Sequence, residues 1–170
     1  MAFDELLALL QPPAEPLGRC DSTDWESIEA RIGTSLPTDF KQFMQTYGGC
    51  SLWDYMQIVS PKGIPSPLEK QHSLVAKYLP RLQSRFAAFP IPGGLLLFAS
   101  DENGNHYLWK TGDSADEWTI VLLSEDLQDH FHFDGSFSGF ICWLVTTPEL
   151  PELISGIPFR SRPGPVLRPC

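Results

Sequence analysis

Leu95-Leu96-Leu97-Phe98-Ala99-Ser100-Asp101-Glu102-Asn103-Gly104-Asn105-His106-Tyr107-Leu108-Trp109-Lys110 reads as a strand, a tight turn and a return strand. Leu95 to Ala99 is a continuous apolar strand signal. Asn103-Gly104 is a strong hairpin signal, because both central residues of that turn need positive φ. His106 to Lys110 comes back with Tyr107 and Trp109 on one face. Working downstream, Trp118 to Leu123 is rich in β-branched and aliphatic residues and reads as another strand. His130 to Phe133 is a last short one, with Phe131 and Phe133 inward and His130 and His132 outward.

Helical spacing takes over on both sides of these strands. Phe40, Phe43, Met44 and Tyr47 make an i, i+3, i+4, i+7 stripe. Pro37 suits the first turn of that helix, and Gly48 or Gly49 its left-handed C-cap. Before it, Trp25, Ile28 and Ile32 follow Thr23 and Glu26, which have capping-box spacing, and Gly33 ends the run. Leu6, Leu7, Leu9 and Leu10 suggest a short N-terminal helix. A strand is expected from about Leu52 to Val59, then a loop carrying Pro61, Gly63, Pro65 and Pro67. A helix from about Leu68 to Phe86 puts Leu74, Val75, Tyr78 and Leu82 on one side, and Pro80 must kink or divide it. Phe137, Phe140, Ile141 and Leu144 make a terminal helix with Ser136 as N-cap. Strands cluster in the middle and helices flank them, an α+β pattern with a largely antiparallel sheet.

Proline marks the ends. Pro12, Pro13 and Pro16 separate an N-terminal helical segment, 1–20, from the body, 21–147. Six further prolines punctuate a basic tail, 148–170, and neither that tail nor the Pro12 to Pro16 linker is expected to sustain regular structure. The chain has 170 residues, one ordinary domain, and is 42% hydrophobic, enough to bury its own core. Its formal charge of −9 argues against a nucleic-acid binder and against an anionic membrane surface, and favours a basic partner. Asp4 and Glu5 stand where an export signal wants Lys or Arg, and no apolar run is long enough to span a bilayer. Cys20, Cys50, Cys142 and Cys170 form no CxxC pair and read as reduced thiols of a cytoplasmic protein.

Three stretches together resemble the SUKH superfamily. Trp25 to Gly33, followed by Leu36-Pro37-Thr38-Asp39-Phe40-Lys41-Gln42-Phe43 and Tyr47-Gly48-Gly49, is similar to its opening. Phe98 to Asn105 with Tyr107 resembles its central hairpin, and Ser136-Phe137-Ser138-Gly139-Phe140-Ile141 its closing helix, with Phe140-Ile141 in place of a phenylalanine-leucine pair. The resemblance covers Asp21 to Thr147. It implies a mixed, mostly antiparallel sheet of about five to six strands flanked by helices, without catalysis or a cofactor. It also implies a binding role, commonly that of a bacterial immunity protein neutralising a cognate toxin, often a nuclease. Fungal members are interaction proteins in cell-wall signalling. The matching residues are a stripe, caps and a turn, so they point to the fold and mark no binding site.

Charge placement points further. Nine acids lie between Asp101 and Asp134 against one base, Lys110, so this section carries nearly all of the net charge. Most sit in turns, where binding residues are commonly grafted on a sheet. The candidate partner-binding residues are therefore Asp101, Glu102, Asp113, Asp116, Glu117, Trp118, Glu125, Asp126 and Asp129, with solvated turns and core packing of the tryptophan as the competing reading. An acidic face would occupy the groove with which a basic toxin grips phosphate. Two alternatives stand beside this. One is a scaffold without a toxin, binding a peptide or signalling protein through the basic helix around Lys77, Arg81 and Arg85. The other is a metal-dependent hydrolase using His130 and His132, with His106 as a third ligand. Gly135-Ser136-Phe137-Ser138-Gly139 is no nucleophile elbow, since Phe holds the middle position, and no Gly-rich loop followed by Lys is present to cradle phosphate.

Overall fold

The structure, a computed structural model, describes residues 2–82, 86–155 and 167–169. In chain order its elements are α1 (Ala2–Leu9), α2 (Trp25–Ile32), α3 (Thr38–Thr46), β1 (Cys50–Leu52), β2 (Met56–Ile58), α4 (Pro67–Tyr78), β3 (Leu95–Asp101), β4 (His106–Lys110), β5 (Thr119–Leu123), β6 (His130–Phe133), α5 (Phe137–Thr146), α6 (Glu152–Ser155) and β7 (Leu167–Pro169). The strands form one sheet in the order β6-β5-β4-β3-β2-β1-β7. Every neighbouring pair is antiparallel, and the α+β arrangement follows the expectation.

The two faces of the sheet take different helices. Tyr107 and Trp109 face α5, where Phe140 and Phe137 meet them. Trp109 meets Phe40 of α3 edge-on at 4.7 Å. Phe137 sits among Phe40, Phe43 and Phe98, with ring centroids 5.1 to 5.3 Å away. On the opposite face α4 packs on β3. A bulge between Leu97 and Ala99 shifts the alternation, so that Phe98 joins the aromatic face while Ser100 turns to α4 and donates to Gln71 Oε1 at 3.2 Å. His72 of α4 bridges the same junction. Its Nδ1 accepts from the Leu97 N–H at 3.4 Å, which leaves Nε2 to donate to the Phe89 carbonyl at 3.3 Å.

Carboxylates close the helix starts across the fold. Asp116 accepts from the backbone N–H and the hydroxyl of Thr38, at 2.6 and 3.0 Å, at the start of α3. Asp39 in turn accepts from the Ser138 N–H at 2.7 Å, at the start of α5. Ser136 caps α5 as expected, accepting from Gly139 N–H. Ser66 and Glu69 make a full capping box on α4, and Arg31 of α2 lies 2.9 Å from the same glutamate.

Several local expectations are corrected. Asp24, not Thr23, is the N-cap residue of α2; its carboxylate accepts from the Asp21 N–H, outside the helix. The stretch expected as a single strand from Leu52 to Val59 folds into the β1–β2 hairpin, because Trp53 and Asp54 both take positive φ, 59° and 56°. The hairpin at Asn103-Gly104 is closed differently from the expectation. Only Gly104 has positive φ, and its N–H donates to the Asp101 carbonyl, so a three-residue loop ends in a left-handed glycine. The helix from Pro67 ends at Tyr78; Pro80 divides it from a short 3-10 turn at Leu79–Leu82. The expected N-terminal helix is present as α1 and Pro12 to Pro16 carry no helix or strand, but the tail holds regular structure despite its prolines. Leu6 and Leu10 are buried in the same core as Phe40 and Phe140, Tyr47 donates its hydroxyl to the Leu10 carbonyl, and the tail contributes α6 and β7.

His72 gives the fold a pH signature. Burial holds its pKa below the usual 6.5, with the Phe89 carbonyl opposing. The unfolded chain therefore takes up the proton first as pH falls. The stability that depends on neutral His72 is complete above about pH 6.5, the unfolded value, and is lost as pH falls through the folded pKa. The thermal midpoint should drop on acidification below that value, and His72→Gln should flatten the slope. Parallel pH profiles for the two proteins would contradict the assignment.

Candidate functional site

An antiparallel meander sends successive connections to alternate ends of the sheet, and this divides the acidic candidates into two groups. The β3–β4 and β5–β6 turns lie together, because His106 is opposite Leu123 and Leu123 is opposite His130. This end holds Asp101, Glu102, Glu125, Asp126 and Asp129. The β4–β5 connection lies at the other end, where Lys110 is opposite Thr119, and it carries Asp113, Asp116, Glu117 and Trp118. At about 3.4 Å per residue, the strands between put roughly 15 Å between the groups. The candidates do not form one continuous face.

Within the first group the roles differ. Asp101 is buried, 8% exposed, and its carboxylate is consumed inside the turn. One oxygen accepts from the Asn103 and Asn105 N–H groups at 3.0 Å each, and the other from the Asn105 amide at 3.0 Å and the Tyr107 hydroxyl at 2.8 Å. Burial, with the Asp101 charge second, pushes the Tyr107 phenol far above its ordinary pKa and keeps it a donor. Asp101 is thus a structural hub and is not available to a partner. Asp101→Ala would leave that phenol without an acceptor and the Asn105 amide with only the Leu153 carbonyl at 3.4 Å, at about 1–3 kcal/mol for each buried donor that loses its partner. The expected loss is about 3 kcal/mol in urea unfolding; a loss below about 1 kcal/mol would contradict the hub.

The neighbouring carboxylates point outward. Glu102, Glu125 and Asp129 are exposed and have no side-chain partner among the described residues. The two turns touch: a Cβ at Gly104 would lie 2.9 Å from Cγ of Glu125. Asp126 is exposed but accepts from Ser124 Oγ at 2.6 Å and the Gln128 N–H at 3.1 Å, which hold its pKa below the ordinary carboxylate range. It keeps its charge while shaping the turn.

At the far end Asp113 and Glu117 are exposed, and Asp116 is engaged at the start of α3. Trp118 is buried, 4% exposed, tilted against Trp109 and donating its indole N–H to the Gly112 carbonyl at 3.1 Å. It is a core residue and not an exposed anchor; Trp53, 5% exposed, is likewise buried.

The histidines do not converge. His106 and His130 share a face of the sheet, but β5 lies between their strands. Two strand spacings put them roughly 10 Å apart, too far for one ion. His132 Nε2 is 2.8 Å from Thr119 Oγ1, and the His130 ring meets Phe86 edge-on. Among the described residues no three His, Cys, Asp or Glu side chains are grouped to hold a metal. Burial holds the pKa of His106 down, against Asp101 and Glu125.

Two features had no signal in the sequence. An open groove of about 480 Å³ is lined by Asp129, His130, Phe131, Pro151, Glu152 and Leu153, where α6 comes beside β6. A second, of about 260 Å³, lies between α4 and the β3–β4 hairpin, with Leu74 on its wall. Leu74 and Tyr78, expected on one side of their helix with Val75, are more than half exposed one turn apart, while Val75 is buried. Of the basic residues on this helix side, the side chain of Arg81 and all of Arg85 lie outside the described residues. No helix among the described residues is long and apolar enough to cross a membrane.

Comparison with curated proteins returns no match, and neither does comparison with solved structures. A family model described as SMI1-KNR4 cell-wall, of the SUKH group, matches residues 22–141. That match spans α2 to the first half of α5, more than half of the chain and all six strands from β1 to β6. The three stretches of resemblance, the antiparallel sheet and this match agree: the chain belongs to the SUKH superfamily.

Proposed function

We propose that the protein is a non-enzymatic immunity protein that binds a basic toxin domain, with a nuclease as the best-fitting class, through the acidic turns at one end of its sheet. The family supports a role in immunity or protein interaction. The single observation behind the finer reading is the pair of touching turns that present Glu102, Glu125 and Asp129 outward with Asp126 beside them. Carboxylates held on a rigid hairpin raise the rate of encounter with a cationic surface and reject anionic ones. A surface that competes with phosphate for a nuclease groove needs no reacting group of its own. The cytoplasm is the proposed place of action, where the buried thiols of Cys20, Cys50 and Cys142 stay reduced.

The test is co-expression with the adjacent reading frame. A large protein ending in a small basic domain should be toxic alone, harmless with this protein, and recovered in complex with it. Full toxicity in the presence of folded protein would reject the reading.

A second reading has its own observation. Leu74 and Tyr78, exposed beside Lys77 and next to the 260 Å³ groove, suit a scaffold that receives an apolar peptide on α4. Leu74→Ser with Tyr78→Ser separates the two readings: it should remove partner binding in the scaffold reading and leave protection intact in the immunity reading.

A further inference from the structure

The sheet ends at β6, and among the described residues no strand pairs with its outer side. In an antiparallel ladder main-chain groups alternate between facing the partner and facing away. The Ser124 N–H donates to the Asp129 carbonyl, so Asp129, Phe131 and Phe133 address β5, and the N–H and C=O groups of His130 and His132 face outward. An open row of that kind is a template for an added strand.

The side chains around the edge specify what would be added. On the face of β6 that carries Phe131, the 480 Å³ groove runs beside the edge with Pro151 and Leu153 on its apolar wall. Asp129 and Glu152 supply negative charge, His130 borders the groove at the edge itself, and among the described residues no Lys or Arg lines it. A side chain entering from a neighbouring strand would need an apolar stem and a cationic head, which describes Arg and Lys. On the other face His130 and His132 are exposed, so alternate residues of an added strand would face water and could be small and polar.

We infer that β6 accepts an extended basic segment of the partner protein as an added strand, with an Arg or Lys side chain seated between Asp129 and Glu152. This rests on the proposed binding function and specifies its contact mode. Affinity would come from the main chain of His130 and His132, and selectivity from the groove.

A hexapeptide of alternating arginine and threonine, blocked at both ends, is the probe. With the full chain it should bind saturably and slow amide hydrogen exchange at His130 and His132. N-methylation of the peptide at its threonines should abolish binding, and citrulline in place of arginine should weaken it at least tenfold. His132→Pro removes an outward N–H that takes no part in the ladder, so the fold should persist while binding falls at least tenfold. Glu152→Lys should weaken binding without touching the main chain. Undiminished binding of the N-methylated peptide would overturn strand addition, as would equal binding of an all-glutamate analogue. Self-association of the protein through β6, or protection of the edge by the chain's own tail with no response to the peptide, would also overturn it. If these results fail while charge reversal at Glu102 and Glu125 still removes protection, the contact mode is wrong and the binding function stands.

Discussion

Phe137→Ala is expected to cost about 4 kcal/mol, the largest loss of any single substitution in this chain. Phe137 is 1% exposed and opens α5, with its ring meeting Phe40 and Phe43 of α3, Phe98 of β3 and Trp109 of β4. It therefore brings α3, β3 and β4 together against α5 at one ring. Truncating a buried Phe loses its transfer free energy and leaves a cavity, together about 3–5 kcal/mol. Edge-to-face contacts add about 0.5–1.5 kcal/mol each beyond area. The surrounding rings belong to different elements, so collapse into the space would require several to shift at once. A domain of this size is stable by only about 5–15 kcal/mol, so the variant should unfold at markedly lower urea concentration. Phe137→Leu keeps most of the volume and should recover at least half of the loss. An alanine variant within about 1 kcal/mol of the parent would show that the ring cluster does not organise the core.

The second large effect concerns partner binding. Glu102→Lys with Glu125→Lys changes the charge of the turn end by four units at side chains with no hydrogen-bond partner among the described residues. Association with a basic partner should slow by roughly 10–100-fold at low ionic strength, since steering depends on the local field. The same reversal at Asp113 and Glu117 alters the net charge equally but roughly 15 Å away. That separation exceeds the Debye length of about 8 Å at physiological salt, so the far pair should change the rate by about threefold or less. The comparison separates a local site from an effect of overall acidity. Asp101, Asp116 and Asp126 are left out because their carboxylates hold the fold or the turn together.

The strands and helices whose periodicity is complete could be read from sequence. Phe40, Phe43, Met44 and Tyr47 define α3, Ser136 starts α5, and Phe131 with Phe133 face inward on β6, stacked or tilted against Trp143. These elements depend on local spacing and one cap, which the sequence carries directly. The β1–β2 turn escaped because its left-handed residues are Trp53 and Asp54, where glycine or asparagine would have announced it. Such a turn is held by its surroundings: Trp53 is buried, and Asp54 lies 3.3 Å from Arg168 of β7. The leucines of α1 announced a helix, but its docking, like α6 and β7 of the tail, escaped for a related reason. Nothing local shows that Leu6 and Leu10 will fill space beside α3 and α5.

The candidate site was legible as a composition and not as a geometry. Nine acids in one stretch pointed to a charged region, but a meander alternates its connections between ends, so neighbours in sequence became two separate groups. A turn aspartate such as Asp101 can fold back onto its own backbone, and only the positions of Asn105 and Tyr107 reveal that it did. Glu152 entered the picture because α6 returns beside β6, a tertiary event with no sequence signature.

The most direct test is stopped-flow association with the partner protein that co-purifies with this chain, across ionic strength. The rate should fall steeply with added salt, lose that dependence in the Glu102→Lys, Glu125→Lys protein and keep it in the Asp113→Lys, Glu117→Lys protein. Equal salt dependence in all three would contradict binding through the acidic turns.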